Sequence, residues 1–345
     1  MTATRKSALV SVIGCAFVLM ASASATAERA GSSSSTSSPS SKATKGPNRT
    51  ITSQVSIKYH SSGNSGVHSG PLASTDSNWT PPACWYAPEW SATEFQQFRQ
   101  GVYVSAVHDP GLPNDVRGEI SDQNQKYAGD NYNIDKEKEG MWWGPQFNDD
   151  ASLADQMKCD KDPFWVKKGE TPDVPEAIKP ETLAGLAYQQ MQVPGTKVSL
   201  APAGASKVNL PTWAWLDKAD FKPISVTASL DIGGFHAEAT TTATADSLSL
   251  DPGTDDAQVL PASGRCALNS DGSIGEPYAR GKANQTPPCG VVYQRSSGGG
   301  TFNLRATATW RISWTGTGGA GGSLPDGEYG HDQPVTVQEI QAVNR

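Results

Sequence analysis

The chain has 345 residues and a formal net charge of −7, which leaves room for two domains without deciding between one and two. The acidic excess is local: thirteen acids face six bases between Asp109 and Asp162. The amino-terminal arm carries Arg29, Lys42, Lys45, Arg49 and Lys58 against Glu28, a charge too sparse for a nucleic-acid arm, so nucleic acid is excluded as a partner.

The first predicted element is an export signal. Arg5 and Lys6 precede an apolar run over residues 8–20, and Ala25-Thr26-Ala27 offers small residues for cleavage before Glu28. This pattern predicts a secretory signal peptide over residues 1–27 and a secreted protein that meets the membrane only during export. The run is too short to span a bilayer as a helix, which takes about 20 apolar residues. Cys15 lies inside the run and not at its end, which argues against a lipid anchor. Cleavage leaves Cys84, Cys159, Cys266 and Cys289, an even set in an oxidising compartment with three possible pairings. The sequential one, Cys84 with Cys159 and Cys266 with Cys289, is simplest, because each pair then stays within one expected domain. No C-x-x-C occurs and no histidine stands close to these cysteines, so a zinc site is rejected.

Residues 28–78 are rich in Ser, Gly and Thr; they cannot bury enough apolar surface to offset ordering and are expected to form a disordered stalk. Ile51, Val55 and Ile57 hint at one short strand. Residues 79–200 are expected to form a mixed α+β, disulfide-tied domain. Ser91-Ala92-Thr93-Glu94 has capping-box spacing and is followed by Phe95, Phe98 and Val102, predicting a helix over 92–107 that ends at Asp109-Pro110-Gly111. Residues 114–162 are acidic and poorly periodic, and read as an insertion. Leu183, Leu186, Ala187 and Met191 share one face of a predicted helix over 181–192, stopped by Pro194-Gly195.

Residues 201–345 carry the clearest pattern. Phe302, Leu304, Ala306, Ala308, Trp310, Ile312 and Trp314 alternate with polar residues, the mark of a strand with one buried face. Ile224, Val226, Ala228, Leu230 and Ile232 repeat it, and Gly233-Gly234 joins that strand to residues 235–244 as a hairpin. Val335 and Val337 begin the pattern again. An antiparallel β-sandwich follows.

From Val208 onward the chain resembles a family of uncharacterised secreted actinobacterial proteins that end in a PKD-like (polycystic kidney disease repeat) domain. The resemblance rests on Asn209-Leu210-Pro211-Thr212-Trp213-Ala214-Trp215-Leu216-Asp217, on Cys266 and residues 275–278, and on Cys289-Gly290. It continues through Tyr293-Gln294-Arg295-Ser296-Ser297 and the strand over 301–314. It implies a seven-stranded immunoglobulin-like sandwich with Cys266 and Cys289 paired. Two departures are structural: Leu250-Asp251-Pro252-Gly253-Thr254-Asp255 keeps only one glycine of the usual Trp-x-x-Gly-Asp-Gly turn, and Val291 replaces a histidine. Upstream, Cys84 and Cys159 resemble a second family pair but stand much farther apart here. No catalytic residue transfers from the family.

Gly316-Thr317-Gly318-Gly319-Ala320-Gly321 fits G-x-G-x-x-G, but Ser323-Leu324-Pro325-Asp326-Gly327 cannot open the helix that a dinucleotide needs. No P-loop occurs either, so no nucleotide is expected. His60 and His68 fall in the stalk, leaving His108, His236 and His331 as possible bases; none stands near a nucleophile elbow. His108-Asp109 is a candidate base with its orienting acid. Asp251, Asp255 and Asp256 bracket a turn and are a candidate Ca²⁺ set; no other cofactor is expected. Trp310 and Trp314 belong to the core. Trp142 and Trp143 are the best candidates for an exposed aromatic surface that stacks on a glycan or protein.

The expectation is a secreted, extracellular or cell-wall-associated interaction module without catalysis, meeting an extracellular protein or cell-wall glycan. The alternative is a secreted glycoside hydrolase or other hydrolase using carboxylates of the acidic residues 109–162.

Overall fold

The structure is a computed structural model that describes residues 57–62, 70–216, 221–282 and 284–340. The expected signal peptide with Cys15, most of the expected stalk including His68, and Asp217 lie outside the described residues. The fold is mostly β, with 43% strand against 21% helix. Its main elements are β1 (Lys58–Ser62), β2 (Cys84–Trp90), α1 (Ala92–His108), α2 (Asn114–Gly129), β3 (Gly140–Phe147), β4 (Phe164–Lys167) and α3 (Pro180–Gln189). They continue with β5 (Pro211–Leu216), β6 (Ile224–Ile232), β7 (Phe235–Asp251), β8 (Ala257–Leu260), β9 (Gly290–Tyr293), β10 (Phe302–Gly316) and β11 (Gly321–Gln338).

The largest sheet runs β1-β6-β7-β10-β11, with Ala73–Ser74 at the far edge. Its cause is the period-two pattern. In β10, Leu304, Ala306, Ala308, Trp310 and Ile312 are buried, while Asn303, Arg305, Arg311 and Ser313 are exposed. Gly233 and Gly234 take φ of 58° and 83°, the left-handed pair that a two-residue hairpin requires, and Ile232 pairs with Phe235 across it. A second sheet runs β8-β9-β5 and ends on Ile274–Gly275. Tyr293 of β9 stacks on Phe302 of β10 at 5.4 Å, and side chains of both sheets join one buried cluster, giving a sandwich-like interior.

Cys266 and Cys289 are bonded, Cα to Cα 5.3 Å. Cys266 pairs with Leu248 of β7, and the Cys289 carbonyl accepts from Ala214 N of β5 at 3.0 Å, so this bond ties one sheet to the other. α3 lies against the large sheet: Leu183, Ala184, Leu186 and Ala187 are buried, and Thr241 Oγ1 donates to the Ala184 carbonyl at 2.9 Å. The buried cluster therefore crosses position 200, including Tyr86, Trp143 and Leu183 from one side and Leu248, Trp310 and Val337 from the other.

Two features differ from the sequence reading. Part of the expected stalk is ordered: β1 pairs with β6 along residues 58–62, and Ala73–Ser74 pairs with β11. Backbone ladder bonds do this without needing an apolar sequence. The supposed insertion holds a sixteen-residue helix, α2, and the strand β3. Only Ile120 and Tyr127 of α2 are buried, too thin a stripe to register as periodicity. α1, by contrast, begins as its sequence indicates: Ser91 Oγ accepts from Glu94 N while Glu94 Oε2 accepts from Ser91 N.

Candidate functional site

The part of the molecule with the densest functional chemistry is the excursion between Cys84 and Cys159. These cysteines are bonded across a sequence separation of 75, as the sequential pairing anticipates. β2, β3 and β4 form a three-stranded sheet at its base. A register shift between Pro88 and Trp90 is a bulge that re-aims the residues beyond it. Trp90 and Trp142, opposite one another, then join Phe95 of α1, Tyr127 of α2 and Tyr132 in an apolar cluster separate from the main one. Trp142 stacks on Phe95 at 4.2 Å and meets Tyr127 edge-on at 5.2 Å.

The cluster is fixed by polar bonds. Trp142 Nε1 donates to the Tyr132 carbonyl at 2.9 Å. That carbonyl is aimed by a left-handed run, Asn131, Tyr132 and Asn133, at φ of 48°, 52° and 59°. Asparagine tolerates this region and tyrosine does not, so the run stores strain that the packed indole and the Tyr132 hydroxyl bond to Asn124 at 3.0 Å must hold.

Arg99 is 4% exposed on the inner face of α1. Its Nη2 donates to Gln123 Oε1 at 3.2 Å, its guanidinium carbon stands 5.2 Å from the Tyr127 ring centre, and its Nε has no hydrogen-bond partner among the described residues. Burial lowers its pKa, opposed by the nearby Tyr127, Asp162 and Tyr132. The Tyr127 hydroxyl is pushed up to about 12, chiefly by desolvation.

Glu89 sits at the bulge. Its Oε2 accepts from Gln146 Nε2 at 2.9 Å. A side chain on Gly144 would collide with that oxygen, so the glycine is what admits the carboxyl. Desolvation raises Glu89 to about 8, against the lowering effect of the Gln146 bond. Its affinity for a proton is therefore raised above that of a free carboxyl, the direction a proton donor needs.

The predicted site residues are placed differently from expectation. Trp142 and Trp143 are 5% and 2% exposed, so both indoles are interior and the exposed aromatic surface is not formed. The cause is that β3 is covered on both faces, by the aromatic cluster on one side and by the main core on the other. Trp143 meets Phe235 edge-on at 5.2 Å, and with Met141 and Val166 it lines a shallow cleft. Asp251, Asp255 and Asp256 do not converge: Asp251 Oδ1 accepts from Gly253 N at 2.9 Å, and Asp256 pairs with Arg295 at 3.0 Å. Among the described residues no group of three or more His, Cys, Asp or Glu is placed to hold a metal ion. His108 Nδ1 lies 2.8 Å from the Val104 carbonyl and Asp109 Oδ1 accepts from Gly111 N, so these neighbours do not form a base and its orienting acid.

Acids of residues 109–162 have surface roles. Asp155 is held below the usual carboxylate range, first by its bond from Lys158 and then by Ser152. Glu137 Oε2 accepts from Thr93 N at 2.9 Å in the first turn of α1. Gly318 and Gly319 turn the chain from β10 into β11 at φ of 74° and 77°, with no helix after them.

Glu89 and Arg99 are what sequence reading missed. Their signal is an ionisable residue within an apolar stretch: Glu89 follows Trp85-Tyr86-Ala87-Pro88, and Arg99 falls four residues after Phe95 on the inner helix face. Comparison of the chain with protein-family models, with curated proteins and with solved structures finds no match.

Proposed function

We propose that this protein is an exported interaction module without catalysis, in which a PKD-like β-sandwich presents the helical unit closed by Cys84–Cys159 to an extracellular protein or cell-wall glycan. The observation that carries this reading is the unit itself. α1 and α2 enclose an aromatic interior of their own, are closed by a disulfide and stand on β2 and β3, which belong to the scaffold. Such a unit holds a constant surface away from the main sheet, as a presented binding element must. Both disulfides agree with folding in an oxidising compartment, and among the described residues no helix is long and apolar enough to cross a membrane.

The test replaces residues 92–139 with a short Gly/Ser linker, keeping both disulfides. Binding of the purified protein to cell-envelope fractions should be lost while the Cys266–Cys289 bond and the sheet's melting transition remain. Undiminished binding by that variant would refute the assignment.

A hydrolase reading has one feature in its favour, and it lies outside residues 109–162: Glu89 is buried at the bulge, where desolvation raises its pKa to about 8, the direction a general acid needs. Turnover of chromogenic glycosides that disappears in Glu89→Gln would establish it. Absence of turnover in the unaltered protein removes it.

A further inference from the structure

The outer edge of β11 carries an inference that does not depend on the proposed function. On that side β11 pairs with Ala73–Ser74 at Gly327 and Glu328, and with Ala205–Lys207, in parallel, at residues 336–338. Among the described residues no strand pairs with 329–335 there. Neighbouring bonds fix which backbone groups the gap exposes. The Val337 carbonyl accepts from Ser297 N at 2.9 Å, in the segment that leads into β10, and the Gln338 carbonyl accepts from Val208 N at 3.0 Å on the outer side. Strand groups alternate in this way from residue to residue. Asp332 therefore turns its N–H and C=O outward, and Pro334 its C=O.

Beside this gap lies a cleft of about 210 Å³, with Leu200, Pro202, Ala203 and Ser206 on one wall and Gln333 and Val335 on the other. The first wall is held at both ends, since Ser199–Ala201 pairs with β5 and Ala205–Lys207 with β11. Parity puts Gln333 on the inner face of β11 with Val335 and Val337, where an apolar side chain would be expected. Gln333 is 9% exposed, and its Oε1 has no hydrogen-bond partner among the described residues. A buried acceptor left unpaired is costly, so a donor brought by a ligand gains more here than on open surface. Ser206, also buried, accepts through Oγ from Thr212 Oγ1 at 2.8 Å, which leaves its own hydroxyl hydrogen to donate.

The lining holds no ionisable side chain, so a charged ligand group would lose its water without gaining a counter-charge. The cleft is also smaller than the roughly 300–1,000 Å³ of sites that enclose a whole small molecule. It opens on a backbone edge, and so suits one side chain of a longer ligand. We propose that cleft and edge together form a docking site for an extended, uncharged peptide segment of a partner protein, with an Asn or Gln side chain seated in the cleft. The segment adds a short strand beside residues 332–334, accepting from the Asp332 N–H and donating to the Pro334 carbonyl. Its carboxamide matches the two walls: the N–H donates to Gln333 Oε1 and the C=O accepts from the Ser206 hydroxyl.

The experiment offers the full chain an array of uncharged octapeptides with Asn or Gln at the centre, the same peptides with Asp or Glu there, and neutral mono- and disaccharides. The Asn and Gln peptides should bind, and the acidic ones at least tenfold more weakly. Gln333→Leu should weaken peptide binding about tenfold and melt no lower than the parent, because the unpaired acceptor is gone. Ala203 is exposed, so Ala203→Trp closes the cleft from a surface turn and should abolish binding with the melting transition unchanged. The variant with residues 92–139 replaced should bind these peptides as the parent does, which separates this site from the helical unit. Any of five results overturns the proposal: no octapeptide bound, acidic peptides bound equally well, saccharides bound in place of peptides, undiminished binding by Gln333→Leu or Ala203→Trp, or peptide binding lost with residues 92–139.

Discussion

β10 and the stretch from α2 through β3 are built by opposite rules. In β10 the sequence alternates and burial largely alternates with it: Leu304, Ala306, Trp310 and Ile312 are buried and Arg305 and Arg311 exposed, with Thr309 the exception. Trp310 is fully buried and stacks on Phe221 at 5.7 Å, while Arg311 beside it faces solvent and pairs with Asp246 at 2.9 Å. In α2 and β3 local pattern says little: α2 buries two residues of sixteen, and β3 buries Trp142 and Trp143 in succession. Burial of consecutive residues on one strand requires cover on both faces, and those covers come from distant segments, Phe95 and Tyr127 on one side, Phe235 on the other. Periodicity is informative where a single neighbour layer decides burial, and silent where two do.

The largest expected effects set the two interiors against each other. Trp310→Ala removes a fully buried indole from the main core and should cost about 3–5 kcal/mol, lowering the midpoint of global unfolding in denaturant. Phe95→Ala should cost a similar amount, but hydrogen exchange should show the loss confined to residues 92–139, because that aromatic cluster is separate. A uniform loss of protection across the chain in both variants would mean the two interiors act as one.

The next effect concerns Glu89. Its folded pKa is raised from 4.5 to about 8, so between those values the folded chain holds a proton that the unfolded chain has released. Stability should then be greatest below about pH 4.5 for this group, decline as pH rises to about 8, and stay flat above it, a total on the order of 5 kcal/mol. Glu89→Gln should abolish that slope in thermal melts across pH and melt higher than the parent at pH 9. An unchanged slope would place the carboxyl in water and not at the bulge.

Smaller effects refine the comparison. Ser91→Ala removes the side-chain acceptor of the α1 capping box and should destabilise by about 1 kcal/mol, seen as faster exchange in the first turn of α1. Arg311→Ala should change stability by no more than about 0.5 kcal/mol, since an exposed ion pair contributes little. A loss there equal to that of Trp310→Ala would contradict the one-sided burial of β10.

By itself, the sequence determined the elements whose causes are local. The capping box of α1, the Gly233-Gly234 hairpin and the alternation of β6 and β10 are each specified within a few residues, by a hydrogen-bond pattern, by a φ that glycine tolerates or by side-chain parity. The even count of the four cysteines after residue 27, paired in sequence order, pointed to the two bonds that form. Tertiary structure decided everything that depends on what arrives from elsewhere in the chain. Ladder bonds to β6 ordered a segment whose composition reads as coil, because backbone pairing makes no demand on side-chain character. Cover on both faces of β3 turned Trp142 and Trp143 from a candidate surface into interior. The bulge after Pro88, with Gly144 opposite, placed Glu89 where desolvation raises its pKa, and no local pattern reports a distance across strands. The three candidate calcium ligands failed for the same reason: nearness in sequence brought them into one turn, and the turn's own hydrogen bond and the Arg295 side chain engaged Asp251 and Asp256.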